Sequence, residues 1–369
     1  MTTPLVSIVL PVYNRADIVA RTIDSILGQT FDDWELLVVD DGSTDGSADV
    51  IAGRDSRIKV FSQENTGVPG ARNLGLQNSS GQYITFMDSD DEWDPGFLDL
   101  TTSFLQSSPE SHTIMTEFRW MHFSGRESIH FLTEVTEKYP HIARLVGSDM
   151  LDKESVDDPY LRFFDTREVV GPEIRGVPSG TPPPFLYRGN LFPHTRWGLF
   201  GWLPNLMLTR TAFERVGLFP MEFRSGEDYS FITTLWREYQ ANMIAIPAAT
   251  KHERGVGGKP LTETHLSWVR KGPLFETNQL HYYDKLQGPF YADDPSLRDV
   301  RSYHALKTLR LAMAANNNDD MRRWSKAMDR TTYLGWRGAA IGLLTRTDLP
   351  QPLHRVRRRM VKQLARPLE

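Results

Sequence analysis

The sequence predicts an α/β protein: a Rossmann-like, mainly parallel sheet flanked by helices, followed by an α-helical C-terminal region. Three observations lead there. Over the first hundred residues, short β-branched apolar runs alternate with stretches of helical periodicity, as strand–helix–strand units with right-handed crossovers do. Clusters of acidic residues follow those apolar runs, where an open parallel sheet presents its ligand crevice. After about residue 260 only three- and four-residue apolar spacing remains, which is the helical period.

The elements follow in order. LVSIVLP (5–11) is an apolar run suited to a strand buried on both faces. ADIVARTIDSILGQT (16–30) places Ile18, Val19, Ile23, Ile26 and Leu27 on one helical stripe, with Gly28 as a stop. WELLVVDDGSTDGS (34–47) repeats the theme, a strand and then Ser43, Thr44 or Asp45 to cap a new helix. IKVFSQ (58–63) reads as a third strand, GARNLGLQNS (70–79) as a short helix and YITFM (83–87) as a fourth strand. The stretch 110–200 reads as irregular, and its Gly- and Pro-rich GVPSGTPPPFLYRGN (176–190) as loop. Regularity returns with a strand and short helix over 205–220, a helix with an acidic first turn over 226–240 and a strand over 242–247. Helical patterns then occupy 297–315, 319–344 and 353–367.

Composition narrows the function. The chain has 369 residues, 40% apolar and 24% charged, with a net charge of −5. That is ordinary globular material and gives no general case for nucleic-acid binding, which favours a basic domain. Cysteine is absent, which excludes disulfides, thiolate metal sites and cysteine nucleophiles. No window has the roughly 18 uninterrupted apolar residues of a membrane span, and the N-terminus lacks a basic n-region and a long apolar core. A cytoplasmic protein is expected.

Three acidic groups are candidates for chemistry: Asp40 and Asp41 after the second strand, Asp88, Asp90 and Asp91 after the fourth, and Glu227 and Asp228 at a helix start. Acids at a helix N-terminus also complement its dipole, and acids after strands form turns. The D-x-D spacing is more specific. In an extended segment, carboxylates two residues apart point the same way and can grip one hard divalent cation.

Taken together, VSIVLPVYNRADIVARTIDSILGQTFDDWELLVVDDGSTDGS, NTGVPGARNLGL and YITFMDSDDEWDP resemble the nucleotide-sugar-binding half of family 2 glycosyltransferases, which have the GT-A fold. The likeness runs nearly without gaps over 5–100 and resumes around 200–255. It implies a GT-A catalytic domain over 1–259, made of a nucleotide-sugar half (1–105), a variable acceptor-side insertion (106–200) and an acceptor and catalytic half (201–259). The helical region 260–369 lies outside it.

The same resemblance assigns roles. Pro11, Tyr13 and Asp41 are expected to hold nucleobase and ribose, with Asp41 placed to accept from a uracil N3–H. Arg72 is expected near the base or phosphates, Asp88 and Ser89 at the ribose, and Gly201 and Trp202 near the donor sugar. Asp88, Asp90 and Asp91 share the metal contacts, Asp90 most directly, with His252 as a further ligand. Asp228 is the expected general base, with Glu227 orienting it or substituting for it. Trp93, Trp197, Trp202 and Trp236 are candidate sugar platforms, although Trp236 suits a helix core better.

An inverting transferase follows, dependent on Mn²⁺ or Mg²⁺, using a nucleotide-diphosphate sugar, UDP-linked first. The acceptor is a saccharide, lipid-linked or other hydroxyl, of the kind met in surface polysaccharide or glycolipid synthesis. Alternatives are a binding module without activity and a nucleotidyltransferase. The latter is expected to carry an early lysine-bearing phosphate loop, which PVYNRADIVA lacks. In 353–367, Leu353, Val356, Met360, Val361 and Leu364 share one face, and arginines crowd the rest. Such a helix either lies peripherally on an anionic membrane at the inner face of the cell or packs on the catalytic domain. Oligomeric state stays open.

Overall fold

β1 (Val6–Val12) runs through the middle of a four-stranded parallel block, with β2 (Trp34–Asp40) on one side and β4 (Tyr83–Phe86) on the other. β3 (Ile58–Ser62) extends the block beyond β2. The structure is a computed structural model, and it describes residues 3–121, 127–128, 158–197, 201–221 and 226–252. The chain divides into two units, Met1–Thr262 and Glu263–Glu369. The second unit, with the helical patterns and the basic stretch 353–367, lies outside the described residues.

Every residue of β1, β2 and β4 is buried, which is why these strands are mostly apolar and lack a regular polar alternation, with Ser7, Glu35 and Thr85 as buried polar exceptions. α1 (Val19–Leu27) buries Val19, Thr22, Ile23 and Ile26. α3 (Val68–Gln77) packs on β1 and β2. Its Gly75 permits the close approach, since a Cβ there would meet Val9 Cγ1 at 2.6 Å. α2 (Ser47–Ile51) is a single short turn beside α1.

Eleven strands form one sheet among the described residues, in the order β3-β2-β1-β4-β10-β6-β11-β9-β8 with two short strands off this path. β10 (Leu206–Thr209) is antiparallel to both β4 and β6 (Thr113–Met121). β6 is parallel to β11 (Ala241–His252), which is antiparallel to β9 (Phe185–Gly189), itself antiparallel to β8 (Thr166–Val169). β5 (Glu92–Trp93) pairs with the end of β11, and β7 (Glu127–Ser128) with the end of β6. α4 (Phe97–Ser107), α5 (Arg210–Val216) and α6 (Glu227–Glu238) complete the described α-helices.

Two differences from the sequence reading stand out. The segment read as irregular supplies β6, deep in the sheet, and β9, inside the Gly- and Pro-rich stretch. Glu117 and Arg119 interrupt β6 as an apolar run. Before β9 the prolines stop at Pro184, whose carbonyl still accepts from Val170 N–H; proline lacks a donor but keeps its acceptor. Second, β11 does not end at Pro247. The strand passes it through register shifts between Ile244 and Ala249, where an irregularity tolerates the missing N–H. It then runs on to His252.

Candidate active site

The carboxyl ends of β1, β2 and β4 lie side by side, with Val12 opposite Asp40 and Val9 opposite Phe86. The loops leaving them are laced together. After β1, Asn14 takes a left-handed conformation (φ 51°). Its N–H donates to Ser43 Oγ, and its Oδ1 accepts from Thr44 N–H. Asn is among the few non-glycine residues that take this conformation readily. Pro11 is buried in β1 and Tyr13 is exposed (38%) just beyond it.

Asp40 and Asp41 have separate tasks. Asp40 Oδ1 accepts from Ser43 N–H and shapes the turn. Asp41 reaches the next loop, where Oδ1 accepts from Thr66 N–H and the Gln63 amide and Oδ2 from Gly67 N–H. That fixes the chain entering α3.

After β4 the acidic residues do not lie in an extended segment as the D-x-D reading supposed. Asp91 N–H donates to Asp88 O at 3.2 Å, closing a tight turn over Asp88–Asp91. Asp and Ser favour such turns through local hydrogen bonds. α1 holds the turn from beneath: Arg21 Nη2 donates to Asp90 O and Thr22 Oγ1 to Asp91 O, each at 2.8 Å.

Arg72 on α3 joins this turn to the Glu-Asp helix. Its Nη2 donates to Asp88 Oδ1 and its Nη1 to Glu227 Oε1, both at 2.8 Å. The residue is 4% exposed, and its Nε has no acceptor. Burial opposes its charge, but Asp88, Glu227 and Asp228 outweigh that and push its pKa up. Next to it, Asn73 brackets Phe219: Nδ2 donates to Phe219 O, and Oδ1 accepts from Phe219 N–H. The Phe219 ring stacks on Phe231 of α6 with centroids 4.4 Å apart. Thus α3 fixes both the approach to α6 and its first residue.

α6 starts after Gly226, which is left-handed at φ 86°. Glu227 is buried there. Burial, then the Asp228 charge, raise its pKa to about 7 against the pull of Arg72. Asp228 is only half-buried, and its Oδ1 accepts from Tyr229 N–H. A carboxyl raised in the fold stabilises it when protonated. This contribution is complete below about pH 4.5 and is lost as pH rises through about 7. Glu227→Gln is therefore expected to flatten the fall in thermal midpoint across that window, and parallel melting curves for variant and wild type would refute the shift.

The other side of the acidic turn meets the end of β11. Asp91 is buried; burial first and then the Asp90 charge push its pKa well above the carboxylate range. Lys251 opposes this, Asp88 adds to it, and the His252 N–H, which donates to Asp91 Oδ1 at 2.9 Å, opposes it. A buried carboxylate crowded by like charges is a natural seat for a cation. Among the described residues no three His, Cys, Asp or Glu side chains form a ready cage. A divalent ion fits here on one or two carboxylates of Asp88, Asp90 and Asp91, with other oxygens from water and substrate. The His252 ring engages elsewhere, with Nε2 2.6 Å from Glu92 Oε1.

Glu92 and Asp94, which continue the acidic run towards Pro95, could be taken from sequence for helix-entry residues. Instead α4 begins after Gly96. Glu92 lies in β5 beside Arg21 and His252, and Asp94 takes both Nη groups of Arg119. Each acid has a cation within reach, so side-chain pairing outcompetes capping.

Gly201 has φ 115° and sits against Trp236, Ile232 and Met115. Trp202 is 5% exposed, its ring 4.9 Å from that of Phe118 and 4.5 Å from Lys251 Nζ. Trp93 and Trp236 are core residues. Trp93 stacks on Phe97 and donates from Nε1 to Pro204 O, and Trp236 is fully buried. The Trp197 side chain lies outside the described residues. Sequence reasoning missed Arg21, Thr22 and Lys251. The first two are ordinary helix positions in sequence, and Lys251 lies past the expected end of its strand.

Residues 7–137 match the family described as Glycosyl transferase family 2. An uncharacterised glycosyltransferase of Haemophilus influenzae is 33% identical over 173 residues, 44% of this chain and 67% of that protein. One of Rickettsia conorii is 30% identical over 264 residues, 71% of this chain and 33% of the relative. The chain spans a third or less of the length of that relative and of two further Rickettsia proteins. The crystal structure of S. aureus TarS 1-349 in complex with UDP-GlcNAc aligns with a TM-score of 0.53 at 14% identity, over 98% of this chain and 90% of that one. Identity that low speaks to the fold, which is of GT-A type. With motifs, sheet and sequence relatives in agreement, this chain belongs to glycosyltransferase family 2.

Proposed function

We propose that the chain is an inverting glycosyltransferase that moves a sugar from a nucleotide-diphosphate sugar, UDP-linked, to an acceptor hydroxyl. The observation that carries this reading is the Arg72 bridge. It ties the acidic turn at Asp88 to the helix start at Glu227, so the half-exposed Asp228 lies next in chain to a residue anchored on the donor side. Residues 1–105 then form the donor half, and 201–259 bring the base.

In this reading Pro11 and Tyr13 border the nucleobase. Asp41 forms its polar corner, where Oδ2 accepts one main-chain N–H and retains a lone pair for a base N–H. Asp88 and Ser89 face the ribose, and Gly201 and Trp202 border the sugar. Asp90, Asp91 and Asp88 hold the divalent ion, Mn²⁺ or Mg²⁺, with His252 beside them. When bound, such an ion neutralises charge on a diphosphate. Asp228 takes the proton of the acceptor hydroxyl as that oxygen attacks the anomeric carbon from the face opposite the diphosphate. One displacement inverts the centre, and no covalent nucleophile is required. The UDP-GlcNAc held by the TarS neighbour supports a uridine donor.

Calorimetric titration of the chain with UDP-, GDP- and dTDP-sugars in the presence of Mn²⁺ tests the reading. Binding of UDP-sugars is expected. Silence across the whole panel would sink the donor site, and binding confined to GDP-sugars would overturn the uridine assignment.

A further inference from the structure

We propose that Lys251 is a further donor-contacting residue, whose ammonium engages the diphosphate and stabilises the nucleoside diphosphate as it leaves. The inference rests on the transferase reading above. It starts from the last residues of β11. Consecutive strand residues face opposite sides of a sheet, and here they separate cleanly. His252 points to Glu92, whereas the Lys251 ammonium lies over the Trp202 ring at 4.5 Å and at 5.9 Å from that of Trp120. Trp202 is buried and packed on Phe118, so it offers a fixed π face against which a cation is braced.

The cations around the acidic turn differ in what they have left to give. Both Nη groups of Arg72 are engaged by Asp88 and Glu227. Arg21 is engaged by Asp90 O and Glu92. Among the described residues, Lys251 has no hydrogen-bond acceptor and no carboxylate within ion-pair distance; its ammonium lies by the two indole rings and acts on Asp91 through its charge. A cation beside carboxylates that hold a metal repels that metal. The placement becomes favourable once an anion sits next to both, as a diphosphate does. A lysine supplies three rotatable donors to such a group.

In the transfer step the bond from anomeric carbon to diphosphate oxygen breaks, and the electron pair stays on the nucleoside diphosphate. The acceptor oxygen forms the new bond, and its proton passes to Asp228. Lys251 meets the charge gathered on the departing oxygens, which is greater in the transition state than in the bound donor. It therefore affects kcat as well as affinity.

The test is titration of the full chain with UDP and with UMP, Mn²⁺ present, for wild type, Lys251→Met, Lys251→Gln and Lys251→Arg. Loss of a charge-assisted contact to the second phosphate is expected to weaken UDP about 10-fold or more. UMP should change far less, and arginine should restore part of the UDP affinity. Equal weakening of UDP and UMP, or unchanged UDP binding, would show that Lys251 only balances Asp91 and overturns the proposal. A methionine variant that does not fold leaves the decision to the glutamine and arginine variants. If wild type does not bind UDP, the donor site of the transferase reading itself fails, and that result is separable from a defect confined to Lys251 variants.

Discussion

Arg72→Met is expected to destabilise the folded chain by about 3–5 kcal/mol, the usual cost of removing one partner from a buried ion pair. Arg72 and Glu227 are both almost fully buried, and Asp88 is 26% exposed in its side chain, so solvent does little to screen the loss. Methionine fills much of the volume but leaves Asp88 and Glu227 facing an apolar group. Glu227 already favours its proton more than an ordinary carboxyl and escapes part of the penalty by taking one up. The loss should therefore be larger near pH 8 than near pH 5. Urea unfolding at both pH values measures it, and a destabilisation below about 1 kcal/mol at the higher pH would show that the bridge is not a major support. Arg72→Lys should rescue poorly, because one ammonium does not reproduce the two-armed geometry that spans separate carboxylates.

The second large effect is on rate. Asp228→Asn is expected to slow sugar transfer by about 10²–10⁴-fold, the usual contribution of a positioned general base. Donor affinity should stay near that of wild type. The fold should tolerate the change, because an asparagine Oδ1 can still accept the Tyr229 N–H that Asp228 accepts. Transfer near the wild-type rate with intact donor binding would remove Asp228 from the mechanism. A matching loss in Glu227→Gln with Asp228 intact would point to Arg72-dependent positioning instead, since Glu227 is buried against that arginine.

Strands β1, β2 and β4 were legible because burial on both faces writes a mostly apolar run, such as IVL in β1 and LLVV in β2. β6 was not, because Glu117 and Arg119 break that run and only neighbouring strands make sense of them. Nor does local pattern reveal that an antiparallel β10 sits between β4 and β6. In the candidate site, residue types were legible and pairings were not. Arg72 and Glu227 lie 155 residues apart, so nothing local marks one as the other's partner. The D-x-D turn was misread as extended because spacing alone does not distinguish strand from turn where the residues are Asp and Ser. Lys251 was passed over because Pro247 looked like a strand end.

That proline has a wider consequence. The register irregularity around Pro247 divides β11 into a first half that answers to the core and a second half that answers to the acidic turn. A slip of one residue in the second half would exchange every side chain between faces without moving Met243 or Ile244 from their places. His252 would then stand over Trp202, and Lys251 would face Glu92. The same backbone could in this way present either an imidazole or an ammonium to the acidic turn. Which of the two a chain offers there is set by one extra residue in a strand, and the core sequence need not change at all.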